Sequence, residues 1–158
     1  MKKLNILQLV FCIAIPLVAG AVSGVVTVDA IDGWYATLNK PFFNPPDFIF
    51  GPVWTTLYIL MGISLYMIVR SVKSTMRSRA LIIFGVQLFL NFVWSFLFFY
   101  FEHPDFALLD IIPLWAFILW MIIAFKEIRP IAGYLQIPYL LWVSFATLLN
   151  AAIWWLNM

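Results

Sequence analysis

Charge is scarce in this chain: of 158 residues only 10% are Asp, Glu, Lys or Arg, while 65% are hydrophobic, against about a quarter charged in ordinary soluble domains. A water-soluble domain is excluded. The nine Lys and Arg outnumber the seven Asp and Glu by two, too small a surplus to grip a nucleic-acid backbone. Cysteine is nearly missing: Cys12 stands alone, so no internal disulfide forms, and in an apolar run its thiol acts as a small hydrophobe. His103 is the sole histidine, in the turn Glu102-His-Pro-Asp105. One imidazole without further nitrogen or sulfur donors makes a poor metal site, and the turn reads as solvated. There is no Gly-rich phosphate loop, no pair of catalytic carboxylates, no HExxH and no nucleophile elbow. No acid–base or nucleophilic catalytic residue is expected.

What remains is apolar sequence, with a mean hydropathy of +1.03, divided into five runs at about 4–28, 51–69, 80–101, 106–125 and 134–156. None contains Lys, Arg or Glu, and only Asp110 is acidic. At ~1.5 Å per residue each run is long enough to cross a ~30 Å hydrocarbon layer. The runs are apolar all round rather than alternating, which predicts an all-α bundle of five transmembrane helices in one domain, 1–158, instead of a β-barrel. Lys2, Lys3 and the Ala19-Gly20-Ala21 pattern are reminiscent of a secretory signal. The apolar run continues to Val28, and an uncleaved first span is the expectation.

The basic residues predict an orientation. With five spans, the side of the N-terminus collects Lys2, Lys3, Arg70, Lys73, Arg77, Arg79, Lys126 and Arg129, and the other side only Lys40. Lys and Arg concentrate on the cytoplasmic side, so the N-terminus is expected inside and the C-terminus outside. The loop at 29–50 is too aromatic for a solvated linker, and Pro41, Pro45 and Pro46 restrict its backbone. It reads as a stiff lid over the outer mouth of the bundle. Pro52 fits the first turn of the following helix, where a missing N–H costs little.

Polar groups inside spans are costly in lipid and tend to face the bundle interior or a cavity. In the third run Gln87, Asn91, Trp94, Ser95 and Phe98 share one helical face, and in the fifth Trp142, Ala146, Leu149, Asn150 and Ile153 do the same. Two readings stay open for these faces: hydrogen bonds that hold helices together, or an aromatic pocket with a few orienting polar groups. Trp34, Trp54, Trp154, Trp155 and Trp120 fit an interfacial belt. Trp94, Trp115 and Trp142 lie deeper, where an indole N–H needs a partner that lipid does not supply. Asn91, Asn150, Ser95 or a bound molecule are the available acceptors, and a cavity with flat aromatic walls suits a flat, largely apolar ligand. Gly20 and Gly24 form a GxxxG that admits close approach of another helix, in this chain or in a second copy. Asp110 lies about one turn into the fourth run, within reach of water, Lys40 or an indole, and is a candidate site residue.

Taken together, several segments resemble the translocator protein family, also called tryptophan-rich sensory proteins or peripheral benzodiazepine receptors. They are Trp34-Tyr-Ala-Thr-Leu-Asn-Lys40-Pro-Phe-Phe-Asn-Pro-Pro46, Gly51-Pro-Val-Trp54-Thr-Thr-Leu-Tyr58, Leu90-Asn91-Phe-Val-Trp94, Ala107-Leu-Leu-Asp110, and Pro138-Tyr-Leu-Leu-Trp142 with Phe145-Ala146 and Leu149-Asn150. The resemblance implies a ligand cavity beneath the first loop, often in a homodimer. It implies binding of tetrapyrroles such as protoporphyrin and haem, of sterols and of benzodiazepine-type compounds, with no obligatory cofactor, and roles in transport or stress sensing. By matching position Trp54, Asn91, Trp94, Trp142, Ala146 and Leu149 would line the cavity, completed by Gly24, Thr27, Phe50, Gly51, Val53 and Phe106. Light-dependent porphyrin breakdown is the alternative activity implied, with Trp54 and Trp142 as the residues concerned. The mitochondrial members carry a cholesterol-recognition pattern with a Tyr followed by Arg or Lys near the end of the fifth helix. Here 148–155 contains neither, which speaks against high-affinity cholesterol binding and for a bacterial membrane protein.

Overall fold

The computed structural model describes residues 4–158, and the described part is helical, without a β-strand; Lys2 and Lys3 lie outside it. Five stretches are long and apolar enough to span a membrane. They are built from α1 (Ile6–Asp32), α3 (Phe50–Val69), α4 (Thr75–Ser95), α5 (Pro104–Ile128) and α7 (Ile137–Leu156), with short helices α2 (Trp34–Thr37) and α6 (Pro130–Tyr134) between them.

Helix ends follow local backbone chemistry rather than the limits of hydropathy. The Asn5 side chain caps α1 by accepting from the Gln8 N–H at 3.0 Å, and Ser74 caps α4 by accepting from Arg77 N–H at 3.1 Å. Consequently α4 begins five residues before the apolar run, and α1 continues through Asp29 to Asp32, four residues past it. The run at 134–156 becomes the continuous helix α7 from Ile137 onward, with Pro138 in its first turn, and only Tyr134 belongs to the separate short helix α6. Beyond Ser95 the chain widens into a π-helical segment, Phe96–Tyr100, closed by Phe101 N–H on the Phe96 carbonyl at 2.9 Å. Glu102 then takes a left-handed conformation (φ 58°), which reverses the chain towards α5.

α1 packs on α3, α4 on α5, and α5 on α7, while α1 also meets the π-helical end of α4. The core joins Met61, Ile68, Ile118, Met121, Phe125 and Ile153, each fully buried. Much of the surface is apolar, including Leu7, Phe11, Val18 and Val25 on α1; a surface of this kind belongs in lipid. At Gly62 of α3 two helix backbones cross closely. An added Cβ there would run into the Ile13 Cα and lie 2.9 Å from the Cys12 carbonyl oxygen. That carbonyl is four residues before Pro16, which has no N–H to bond it. Gly62 thus lets α3 cover the carbonyl that the proline leaves free.

The 29–50 segment is less a cap than a wall. Its upper end is fixed to the end of α7 by a reciprocal pair, Asn39 N–H to Asn157 Oδ1 and Asn157 Nδ2 to the Asn39 carbonyl, both 2.9 Å. Phe43 then packs on Phe145 and Phe50 on Trp142, with ring centroids 6.3 and 6.0 Å apart. The chain therefore descends along about 20 Å of α7. Non-helical backbone at such depth must have its polar groups satisfied within the protein. Pro41, Pro45 and Pro46 have no N–H to satisfy, while Asn44 N–H bonds the Pro41 carbonyl and Ile49 N–H the Pro46 carbonyl, each at 3.0 Å.

Candidate functional site

Aromatic side chains of α3 and of the end of α4 enclose a ligand-sized space behind this wall. Trp54 and Tyr58 are one turn apart on α3, and their rings stack at 5.6 Å. Trp94 of α4 stacks on Phe98 at 5.5 Å and stands 6.5 Å from Trp54. Because the π-helical segment widens the turn, consecutive rings Phe98 and Phe99 both reach inward and both contact Trp94 and Tyr35. The result is a cavity of about 510 Å³ between α1, α3, the end of α4 and the lid, within the roughly 300–1,000 Å³ range of small-molecule sites.

Of the candidate residues, Gly24, Thr27, Phe50, Gly51, Trp54 and Trp94 line this cavity. Phe50, Trp54 and Trp94 are shared with a narrow void of about 20 Å³, whose far side is Trp142, Ala146 and Leu149. Trp142 and Val53 also line an apolar groove of about 560 Å³ on the flank between α3 and α7. The expected single site is thus three spaces in a row, divided by indoles. Phe106 is half exposed and packs on His103 at 5.3 Å, and neither it nor Asp110 or Asn91 borders any of these three spaces.

The polar faces divide: their amides bond across helices, while Trp94 and Ser95 border the cavity. Asn91 Oδ1 accepts from the Tyr58 hydroxyl at 2.8 Å, and Gln87 Oε1 accepts from the Tyr139 hydroxyl at 3.0 Å. Asn150 Oδ1 accepts from Trp94 Nε1 at 3.1 Å, while Asn150 Nδ2 donates to the Pro104 carbonyl at 2.8 Å. These amides join helices. The deep indoles divide likewise: Trp115 donates to Ser144 Oγ at 2.7 Å, whereas the buried Trp142 Nε1 has no protein partner. Asp110 Oδ2 is also buried without one, and Lys40 instead places its ammonium 4.3 Å above the Tyr35 ring.

Thr27 Oγ1 donates to the Ser23 carbonyl at 2.9 Å, Thr55 Oγ1 to the Gly51 carbonyl at 2.9 Å and Ser95 Oγ to the Asn91 carbonyl at 3.4 Å. With those hydrogens turned to their own helices, the hydroxyl oxygens present lone pairs to the cavity. Among the described residues, Asp47 is the only charged one that lines it. The surroundings therefore favour a largely apolar molecule with few polar groups.

Sequence reasoning placed Ser95 on the Trp94 face but did not single out Tyr58 or Phe99 as lining residues. Tyr58 was reachable, being one turn from Trp54; Phe99 was not, because α-helical periodicity places it off the Trp94 face. The GxxxG also resolves: a Cβ on Gly20 would enter the Tyr58 ring, whereas Gly24 faces open cavity. Gly20 serves helix packing inside the chain.

The profile of the TspO/MBR family matches residues 12–156. A tryptophan-rich protein TspO of Chlorobaculum tepidum is 40% identical over 154 residues, covering 97% of this chain and 98% of its own. One of the same name from Archaeoglobus fulgidus is 43% identical over 155 residues, covering 98% and 99%. The human translocator protein is 35% identical over 124 residues, covering 77% of this chain and 73% of its own.

Proposed function

Because the chain belongs to the TspO/MBR family, an integral membrane family, we propose that it is a receptor or carrier for tetrapyrroles, such as protoporphyrin or haem, and related flat hydrophobic molecules. The observation that carries this reading is the 510 Å³ cavity with Trp54 and Trp94 in its wall. The planar indoles supply stacking surface, the hydroxyl oxygens of Thr27 and Ser95 accept from the pyrrole N–H groups, and the ligand's carboxylates stay at the mouth, away from Asp47. The end bearing Arg70, Lys73, Arg77, Arg79, Lys126 and Arg129 is the cytoplasmic one on charge asymmetry, so the cavity opens in the opposite half of the bilayer.

Tryptophan quenching by protoporphyrin in detergent tests the reading. Stacking contributes about 0.5–1.5 kcal/mol per ring pair, so Trp54→Leu combined with Trp94→Leu is expected to weaken binding about tenfold or more. Unchanged affinity in that variant would overturn the placement.

One observation favours a second activity: Trp54 and the unpartnered Trp142 indole flank the same narrow void. Such a pair suits photo-oxidation of a bound porphyrin, in which dissolved dioxygen is the oxidant that is reduced and the indoles relay electrons as transient radicals. Incubation in light and darkness separates the two readings, since loss of porphyrin in light that disappears in Trp54→Phe and Trp142→Phe supports the degrading activity. Stable porphyrin in both conditions leaves binding as the function.

A further inference from the structure

The opposite end of the bundle holds a space that the tetrapyrrole reading does not use. A pocket of about 530 Å³ lies where the α3–α4 link meets the α5–α6 junction, bordered by Leu4, Tyr66, Met67, Arg70, Val72 and Arg129. Its two guanidinium groups come from segments distant in sequence. Arg70 closes α3 and lies over the Tyr66 ring at 5.7 Å. Arg129 stands exposed between α5 and α6, with an extended backbone. The Tyr66 hydroxyl accepts from Asn5 N–H at 3.0 Å, and its own hydrogen remains a donor. Around the pocket, Lys73, Arg77, Arg79 and Lys126 add positive charge, and Glu127 is the acid at this end among the described residues.

We propose that this pocket binds the phosphate of an anionic phospholipid, with Arg129 and the Tyr66 hydroxyl as donors and Arg70 adding positive charge to the site. Planar guanidinium forks match phosphate oxygens in pairs, and the excess of positive over negative charge selects a lipid with net negative charge over a zwitterionic one. The same pocket has an apolar side of Leu4, Met67 and Val72 at the end of the spans, next to the lipid-facing start of α1, where Leu7 is exposed. That combination fits a headgroup with its first acyl carbons, whereas free phosphate has no use for the apolar side. Basic pockets between helices at a cytoplasmic surface recognise anionic headgroups by this chemistry.

The test is titration of the delipidated full-length protein with phosphatidylglycerol, phosphatidylcholine or inorganic phosphate, counting lipid adducts by native mass spectrometry. One phosphatidylglycerol is expected to bind at least fivefold more tightly than phosphatidylcholine. Arg129→Gln is expected to remove that preference, whereas Lys126→Gln, which deletes the same charge from a side chain engaged over Tyr134, retains it. Arg129 is exposed, so its replacement leaves the fold intact; an unchanged protoporphyrin quench checks this where the quench exists, and an unchanged helical circular dichroism checks it where it does not. Equal binding of the two lipids, equal effects of the two variants, or displacement of the lipid by millimolar inorganic phosphate would each overturn the proposal.

Discussion

Gly20 lies directly against the ring of Tyr58, with no room for a Cβ between them. The same tyrosine stacks on Trp54 and donates to Asn91, so a side chain on Gly20 is transmitted to the cavity wall. Gly20→Leu is expected to destabilise the protein by about 1–3 kcal/mol through overpacking and to weaken protoporphyrin quenching. Gly24→Ala, one turn on, meets nothing within 4 Å, and should leave the melting temperature in detergent unchanged or slightly raised. If Gly20→Leu instead altered only the oligomeric state, with quenching and stability intact, the intrachain packing role would be wrong.

The Asn150 amide serves two helices at once, accepting from Trp94 and donating to the Pro104 carbonyl. Asn150→Leu strands a buried indole N–H, which costs about 1–3 kcal/mol when left unpaired, and removes a second hydrogen bond from the Pro104 carbonyl at the start of α5, although hydrogen bonds in membrane bundles average only about 0.6 kcal/mol. A net loss of about 1–2 kcal/mol is the expectation. Trp94→Phe removes the donor and leaves the amide its Pro104 bond, so it should cost less through this bond. Combining the two in a cycle of thermal denaturation should give less than the sum of the single effects; strict additivity would mean that the pair contributes nothing.

Two glycines within spans should respond with opposite signs to alanine. At Gly62 the added methyl meets the α1 backbone at Ile13 and Cys12, which cannot rotate aside. Gly62→Ala is expected to lower stability by about 1–3 kcal/mol. At Gly85 nothing stands within 4 Å, and Ala is favoured over Gly in a helix interior by up to about 1 kcal/mol, so Gly85→Ala should raise it. Melting curves of the two variants against the parent check both signs.

Much of this arrangement was legible from composition because a bilayer leaves few options: apolar runs become helices, and polar residues such as Gln87, Asn91 and Asn150 must turn inward. Those three are indeed almost fully buried. What could not be read is the partner of each. Asn91 looks equally suited to a ligand or a neighbouring helix until Tyr58 is seen to bond it, and Gly20 to either a second copy or α3. The lid is a similar case: its prolines signal stiffness, but its descent along α7 depends on the distant pairing of Asn39 with Asn157. Phe99 joins the cavity through a π-helical turn, for which hydrophobic periodicity carries no signal.

The lid also has a titratable anchor. Tyr35 is buried against Phe98 and Phe99 and donates to Asn44 Oδ1 at 2.7 Å. Burial, reinforced by the negative charge of Asp47 and opposed by the Asn44 bond, pushes its hydroxyl up to about 12 from the usual 10. The packed lid therefore favours the neutral phenol. Its contribution is complete below pH 10, where the tyrosine is neutral whether the lid is packed or open, and is lost as pH rises from 10 through about 12, because only the open form ionises freely. Phenolate absorbance should show a late titration step, missing in Tyr35→Phe, that coincides with faster proteolysis within 29–50. A lid that opens at the same pH in Tyr35→Phe and in the parent would assign the alkaline transition to another group.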